Sequence, residues 1–310
     1  MKVLVTGGAG FIGSHVADRM VADGHDVAVV DDLSSGRREQ VPGAANLYQM
    51  DVESRWLDRV IERERPEAVI HLAAQVSVSR SMREPMFDAQ VNVLGSLGLV
   101  LACRQHGVRR LVFASTGGAI YGDTEVLPTP ETFPAWPESP YGAAKLAVEH
   151  YLHLFHRLDG FSAACLRFAN VYGPRQDPHG EAGVVAIFAG ALLEGRAPTI
   201  HGDGRKTRDY VYVGDVVEAV AAAMRGEACG AFNIGTGIET DVNRLYGLIA
   251  GAAGSDLAAV HGPDRPGDVE RSCLAIGRAT EVLGWRPRVE LAEGVALTVD
   301  YFRQRVAATA

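Results

Sequence analysis

Tyr141 and Lys145 stand four residues apart in Tyr141-Gly-Ala-Ala-Lys145, so a helix through them places both side chains on one face. Together they suit proton transfer to and from a hydroxyl. A tyrosine with an ordinary pKa near ~10 is a poor base at neutral pH. A neighbouring ammonium favours the phenolate and lowers that value. Ser139 can cap the helix, and Pro140 fits its first turn. Thr116 ends the apolar run Leu111-Val112-Phe113-Ala114-Ser115 and adds a hydroxyl that can relay a proton or hold the reacting oxygen; Ser115 is the near alternative. An isolated Tyr-x-x-x-Lys is more often a surface pair, so its meaning depends on what precedes it.

What precedes it is a series of βα units. Lys2-Val3-Leu4-Val5-Thr6 reads as a buried parallel strand. Gly7, Gly10 and Gly13 follow, and Phe11, Ile12 and Val16 begin a helical apolar pattern. A strand, a glycine turn and a helix N-terminus form a pyrophosphate cradle: the backbone approaches closely, and the first-turn N–H groups point at the anion. The spacing is G-x-x-G-x-x-G rather than G-x-G-x-x-G. The next strand, Asp26–Val30, ends in Asp31-Asp32. An acid there reads ribose hydroxyls and repels a 2′-phosphate, which predicts NAD rather than NADP. Arg37 and Arg38 lie in a polar loop and read as solvated. Asp51-Val52 closes the third unit beside the adenine. Ala68–Ala74 makes the fourth strand, with small residues at its end that suit a nicotinamide ribose. His71 in that strand reads as structural. Residues 86–106 give a long helix pattern. The fold class is α/β, a doubly wound parallel sheet, with ligands expected at the carboxyl ends of its strands.

With these motifs in place the chain resembles the extended short-chain dehydrogenase/reductase family, and within its nucleotide-sugar branch the UDP-glucose (UDP-galactose) 4-epimerases. The resemblance runs along nearly the whole chain. It rests on Thr6-Gly7-Gly8-Ala9-Gly10-Phe11-Ile12-Gly13, Asp31-Asp32-Leu33-Ser34-Ser35-Gly36, His71-Leu72-Ala73-Ala74, Asn92, Tyr121-Gly122, Tyr141 with Lys145, and Arg167-Phe168-Ala169-Asn170-Val171-Tyr172-Gly173-Pro174. Further on it rests on Arg208-Asp209-Tyr210-Val211, Asn233-Ile234-Gly235-Thr236-Gly237 and Arg265-Pro266-Gly267-Asp268. It implies a Rossmann-type NAD domain over residues 1–167 and a mainly nucleotide-sugar-binding lobe over 168–310, with strands near 231–234 free to rejoin the first sheet. It implies that Thr116 and Tyr141 act on the sugar 4′-hydroxyl, that hydride passes from C4′ to tightly held NAD, and that a 4-keto sugar turns over before hydride returns to its other face. Leu72, Ala73, Ala74, Asn92, Ser35 and Gly36 then join the cofactor contacts. Asn170, Arg208, Arg265 and Asp268 hold the nucleotide diphosphate and ribose, a set whose charges suit that ligand. A homodimer built from the helices around 86–106 and 141–158 is also implied.

Two positions refine the reaction. Dehydratases of this branch carry an Asp-Glu pair just after the catalytic Thr, and related decarboxylases keep a Glu there; this chain has Gly117-Gly118, which leaves dehydration without its acid and base. Where a bulky aromatic closes the sugar pocket in members restricted to unsubstituted hexoses, this chain has Ser272, which leaves room for a 2-N-acetyl group. Three alternative readings remain: a 4-ketoreductase, a UDP-uronate epimerase and, further off, a non-catalytic NAD-binding regulator.

Composition agrees. A chain of 310 residues with 47% hydrophobic content supports a large core, and 35 glycines suit a βα protein. A net charge of −8 without a basic stripe argues against nucleic-acid binding. No uninterrupted apolar stretch approaches a membrane helix, and the N-terminus reads directly as a strand without a signal pattern. Cys103, Cys165, Cys229 and Cys273 are far apart and read as thiols of a cytoplasmic protein. The histidines show no metal-ligand spacing. The Pro-rich segment 123–138 reads as a loop over the sugar pocket, and 174–181 as a polar loop near the substrate.

Overall fold

The computed structural model describes residues 1–178, 183–264 and 269–309. Its strands are β1 (Lys2–Thr6), β2 (Asp26–Asp31), β3 (Asn46–Gln49), β4 (Ala68–His71), β5 (Arg110–Thr116), β6 (Ala163–Phe168), β7 (Asn170–Tyr172), β8 (Thr199–His201), β9 (Thr207–Tyr212), β10 (Gly230–Ile234), β11 (Glu239–Asp241) and β12 (Val260–Gly262). Seven of them form one sheet in the order β10-β6-β5-β4-β1-β2-β3, with every neighbour pair parallel. Chain order reverses between β1 and β4, and that reversal opens a crevice at the carboxyl ends of the two strands.

Both faces of this sheet are covered, so its strands are apolar at nearly every position. Val3, Val5, Val27 and Val29 pack on one side with Val16, Met20 and Val220. Leu4, Ala28, Val30, Val69, Leu111 and Phe113 pack on the other with Leu99, Val148 and Leu152. The alternation follows from the two-residue period of a strand. Each such aliphatic side chain contributes about 1.5–3 kcal/mol when fully buried.

A smaller lobe sits beyond the carboxyl ends. It holds the sheet β11-β9-β7 and the pair β12-β8. The helices Val184–Leu193, Val242–Ala253 and Leu291–Thr309 pack together here, with Phe188, Leu192, Leu245, Ile249, Val295 and Val299 in the core. The chain does not divide cleanly in sequence. The helix Val213–Arg225 packs in the core of the large sheet, and β10 extends that sheet beside β6.

The long helix pattern at 86–106 has a different form from the one its periodicity predicts. It is Pro85–Ala89, a π-helical turn Gln90–Gly95, then Ser96–Gln105. Its 21 residues are long and apolar enough to cross a bilayer by length and composition. Asp88, Asn92 and Ser96, however, are buried, and Leu99, Val100 and Cys103 join the core.

Candidate active site

The cleft is built around the glycine turn. Gly7 has φ 71°, which favours glycine, and a Cβ there would stand 2.6 Å from the Ala73 nitrogen. A Cβ at Gly13 would stand 1.9 Å from the Gly7 oxygen. The turn therefore lies flush against the end of β4 and the start of helix Phe11–Ala22. Gly10 begins that helix with no side-chain cap, which leaves the amides of its first turn to a ligand. Asp31, buried at the end of β2, accepts the Ala9 and Leu33 N–H groups at 2.9 Å each. Asp32 is exposed and accepts from the Ser34 backbone and hydroxyl. Gly36 lies against Ala9 and Asp31, and Arg37 N–H donates to Ala9 C=O, so the loop 32–37 folds over the turn with Ser35 exposed on it. Asp51 is exposed beyond β3, while Val52 is buried against Gly95. A pyrophosphate cradle with free helix amides, and an acid at the next strand end, fit a dinucleotide.

A directional chain of hydrogen bonds runs beneath this surface. Ala73 N–H donates to Thr6 Oγ1 at 3.3 Å, and Thr6 pairs with His71 Nδ1 at 2.7 Å. His71 Nε2 pairs with Ser96 Oγ at 2.9 Å, and Ser96 donates its one proton to Asn92 C=O at 2.6 Å. Because the serine proton is used, Nε2 must donate and Nδ1 must accept: His71 is neutral and held in one tautomer. Burial and the nearby Lys145 charge push its pKa down to about 3. His71 is therefore structural, and it couples Ala73 to the π-helical turn.

Asn92 stands behind the cleft wall. It is 1% exposed. It accepts the Gln75 N–H, and its amide donates to Gln75 C=O and to Asp88, each at 2.9 Å. Both its amide hydrogens are engaged by protein groups. Leu72 and Ala74 are partly exposed at the end of β4, beside Ala73.

Tyr141 and Lys145 lie on helix Pro140–Asp159. Ser139 Oγ accepts the Gly142 N–H at 3.2 Å, and Pro140 occupies the first turn. Lys145 is 3% exposed; its ammonium stands 4.8 Å from the Phe113 ring and 6.0 Å from the Tyr141 ring. Thr116 lies close enough to Tyr141 to favour its phenolate. Ser115 turns away and donates to Glu149 at 2.5 Å. That carboxylate also takes a bidentate Arg167 bond in a buried pair. Of the two adjacent hydroxyls, only Thr116 faces the tyrosine.

Burial acts on both members of the pair. Burial first, then the Asp88 charge, push Tyr141 up to about 12, with Thr116 opposing them. Burial pushes Lys145 down to about 8, with Asp88 opposing it. Burial therefore favours the phenol, against the phenolate that a neighbouring ammonium and a nicotinamide charge favour.

The substrate side is tied to Thr116 through the segment 271–275. Leu274 covers Gly117, where a Cβ would stand 2.4 Å from its Cδ1. Next to it, Gly118 is open: a Cβ would meet only Asn170 Oδ1, at 3.6 Å. Asn170 is exposed at the start of β7. Ser272, partly exposed, donates its N–H to Thr207 C=O, next to Arg208. Arg208 donates to the Thr207 carbonyl at 2.8 Å. Thr129, from the Pro-rich loop, exchanges backbone bonds with Cys273 and Ala275, so that loop is pinned to the same segment. Arg265 and Asp268 lie outside the described residues, as do 179–182 of the polar loop.

Sequence reasoning missed two buried acids. Asp209 accepts from the Thr236 amide and hydroxyl, from Gly237 N–H and from Leu274 N–H. It fastens the strand of Arg208 to the segment of Ser272. The other is Asp88. Polar residues at 88, 92 and 96, four apart in an otherwise apolar helix, were the available signal. Among the described residues no cluster suits a metal ion.

Comparison with known proteins agrees with this arrangement. The chain is 50% identical to a UDP-glucose 4-epimerase of Mycolicibacterium smegmatis, over 98% of this chain and 99% of that one. The crystal structure of a Thermotoga maritima UDP-glucose 4-epimerase with UDP-glucose superposes with a TM-score of 0.97 at 51% identity, covering 99% of this chain and all of that one. A Thermus thermophilus UDP-glucose 4-epimerase in complex with NAD gives 0.93 at 49% identity, covering 98% and 99%. The family model for the NAD dependent epimerase/dehydratase family matches residues 3–235. On the cradle, the Tyr141–Lys145 pair and this match, the chain belongs to the NAD-dependent epimerase/dehydratase family.

Proposed function

We propose that this protein is a UDP-hexose 4-epimerase that interconverts UDP-glucose and UDP-galactose with NAD as its cofactor. The observation that carries this reading is the joint placement of Thr116, Tyr141 and Lys145 at the carboxyl end of β5, beside a dinucleotide cradle and behind a carboxylate-free Gly117-Gly118 turn. Leu274 fills the space in which a side chain at 117 would sit. The first-turn amides after Gly10 hold the pyrophosphate, Asp31 the adenosine ribose, and Tyr141 and Lys145 the nicotinamide ribose. When bound, oxidised NAD supplies a hydride acceptor at C4′ and a positive charge that favours the phenolate. Tyr141 takes the proton of the 4′-hydroxyl and later returns it, Thr116 holds the same oxygen, and the Lys145 ammonium stabilises the phenolate. Residues 168–310 supply most of the nucleotide-sugar contacts. Asn170 and Arg208 hold the diphosphate end with Arg265 and Asp268.

Ser272 widens the sugar pocket for a 2-N-acetyl group, so UDP-GlcNAc and UDP-GalNAc are also substrates in this reading. The molecule acts as a cytoplasmic homodimer. Met86, Leu94 and Leu101 on one helix run, and Tyr151, Leu154 and Leu158 on another, are large, apolar and exposed, as two helices per subunit in a dimer require. Four free thiols suit a reducing compartment.

The test is chromatography of UDP-galactose and UDP-GlcNAc after incubation with purified protein and no added NAD. Conversion of UDP-galactose to its 4-epimer supports the reading, and its absence even with NAD supplied defeats it. Background turnover of UDP-GlcNAc beside active UDP-galactose would remove the N-acetyl substrates alone. Light scattering tests the dimer, with Leu94→Glu expected to give a monomer.

A further inference from the structure

Asp88 has no part in the reading above, yet it is one of the most deeply placed acids in the molecule, 1% exposed. Its Oδ1 accepts from Gln75 Nε2 at 2.8 Å and from Asn92 Nδ2 at 2.9 Å. Its Oδ2 is buried and has no hydrogen-bond partner. Gln75 is clamped in turn: its side-chain amide also donates to Ser77 C=O, and its backbone carbonyl accepts from Asn92. A clamp for two amides does not need a charge. An asparagine would accept both bonds through its own Oδ1 and would avoid burying an ionised oxygen with no donor. A carboxylate in this place calls for a cation.

The cation is at hand. The helix Pro85–Ala89 packs against Pro140–Asp159, which carries Lys145. The groups that face Lys145 can be named element by element. From β4 comes His71, neutral and locked by Thr6 and Ser96. From β5 comes the Phe113 ring. From its own helix come Tyr141 and, a turn further on, Glu149, which is taken by Arg167 and Ser115. From Pro85–Ala89 comes Asp88. Among the described residues, Asp88 is the carboxylate whose charge acts on both Lys145 and Tyr141.

We propose that Asp88 is a positioning residue of the reaction, whose buried carboxylate, clamped by Gln75 and Asn92, is the counter-charge that keeps Lys145 an ammonium beside Tyr141. The proposal rests on Tyr141 and Lys145 being the acid/base pair. Burial alone drives Lys145 towards the free amine, and a free amine cannot stabilise a phenolate. Asp88 offsets that drive without touching substrate or cofactor. The clamp explains how its charge is held in place: Oδ1 is fixed by two amides, and Oδ2 is buried with no hydrogen bond of its own.

The chain has three lysines, Lys2, Lys145 and Lys206, so the protein labelled with 13Cε-lysine gives a short, assignable spectrum. Lys145→Met would identify the signal. In the holoprotein carrying Asp88→Asn, the Lys145 signal should titrate about one pH unit lower than in the wild type, and the alkaline limb of the pH–kcat profile with UDP-galactose should move down with it. The melting temperature should change little, because asparagine keeps both Oδ1 bonds. Superimposable titrations and profiles, with or without a fall in melting temperature, would make Asp88 structural only and overturn the proposal. Should Asp88→Asn not fold, the wild type decides. Its Lys145 signal should show a second, smaller inflection where Asp88 itself titrates, and a single-step curve would overturn the proposal. A shifted lysine in a protein that does not epimerise UDP-galactose would defeat the functional reading and leave the Asp88–Lys145 pairing standing.

Discussion

Lowering the pH from 7 to 5 should cost this protein about 2 kcal/mol of stability through one side chain, His71. In the unfolded chain the imidazole has its ordinary pKa of 6.5, and in the folded protein burial holds it down to about 3. Between those values the unfolded state binds a proton that the folded state refuses. This contribution is therefore complete above pH 6.5 and is lost as pH falls towards 3. One pKa unit is worth about 1.4 kcal/mol, and pH 5 lies about one and a half units below the unfolded value. The structural reason is specific: with the Ser96 proton committed to Asn92, Nδ1 must stay a bare acceptor for Thr6. A second ring proton would point at the Thr6 donor and break the chain that holds Ala73 against Gly7. The cofactor cradle should loosen together with the fold. Urea denaturation at pH 7 and pH 5, for the wild type and for His71→Gln, isolates the effect. Glutamine carries a donor and an acceptor but gains no proton in this range. Asp31, Asp88 and Asp209 have carboxyls pushed up by burial and act with the opposite sign, but they cancel between the two proteins. If the wild type and His71→Gln lose the same stability between pH 7 and 5, within ~0.5 kcal/mol, the locked tautomer is refuted.

Tyr141→Phe should retain NAD, seen by its absorbance after desalting, while turnover of UDP-galactose falls ~10²-fold or more; near-normal turnover would remove Tyr141 from the chemistry. Thr116→Ala should lower kcat by about 10- to 100-fold. Ser115→Ala should leave the rate within a few-fold and instead lower the melting temperature, because it removes a donor from the buried Glu149–Arg167 pair. The reverse ranking would place the catalytic hydroxyl on Ser115. Gly117→Ala should destabilise by about 1–3 kcal/mol through overpacking on Leu274, whereas Gly118→Ala should be close to neutral. Equal melting temperatures for the two would contradict the packing.

The buried Asp88 shows where reading along the chain stops. Its neighbours Asn92 and Ser96 are four and eight residues on, which is legible as one helix face. That this face meets Gln75 and His71 follows only from β4 lying beside β5 and β1. The same limit applies to Asn92. In the fold its amide hydrogens go to Gln75 and Asp88, and Gln75 is a partner that no spacing along the helix announces.

By itself the sequence determined the parts whose physics is local. Gly7, Gly10 and Gly13 allow a turn flush against a strand end. Asp31 ends the next strand, beside that turn. Ser139 and Pro140 start a helix that carries Tyr141 and Lys145 one turn apart. These depend on backbone sterics and helical period, which act over a few residues. The tertiary structure decided which hydroxyl lies beside the tyrosine and how deeply the pair is buried. Ser115 and Thr116 are neighbours in sequence, yet one meets Glu149 and the other Tyr141, because successive strand residues point to opposite faces. Burial favours the Tyr141 phenol although a lysine lies one turn away, because desolvation is set by everything packed around the pair, and that packing exists only once the chain has folded.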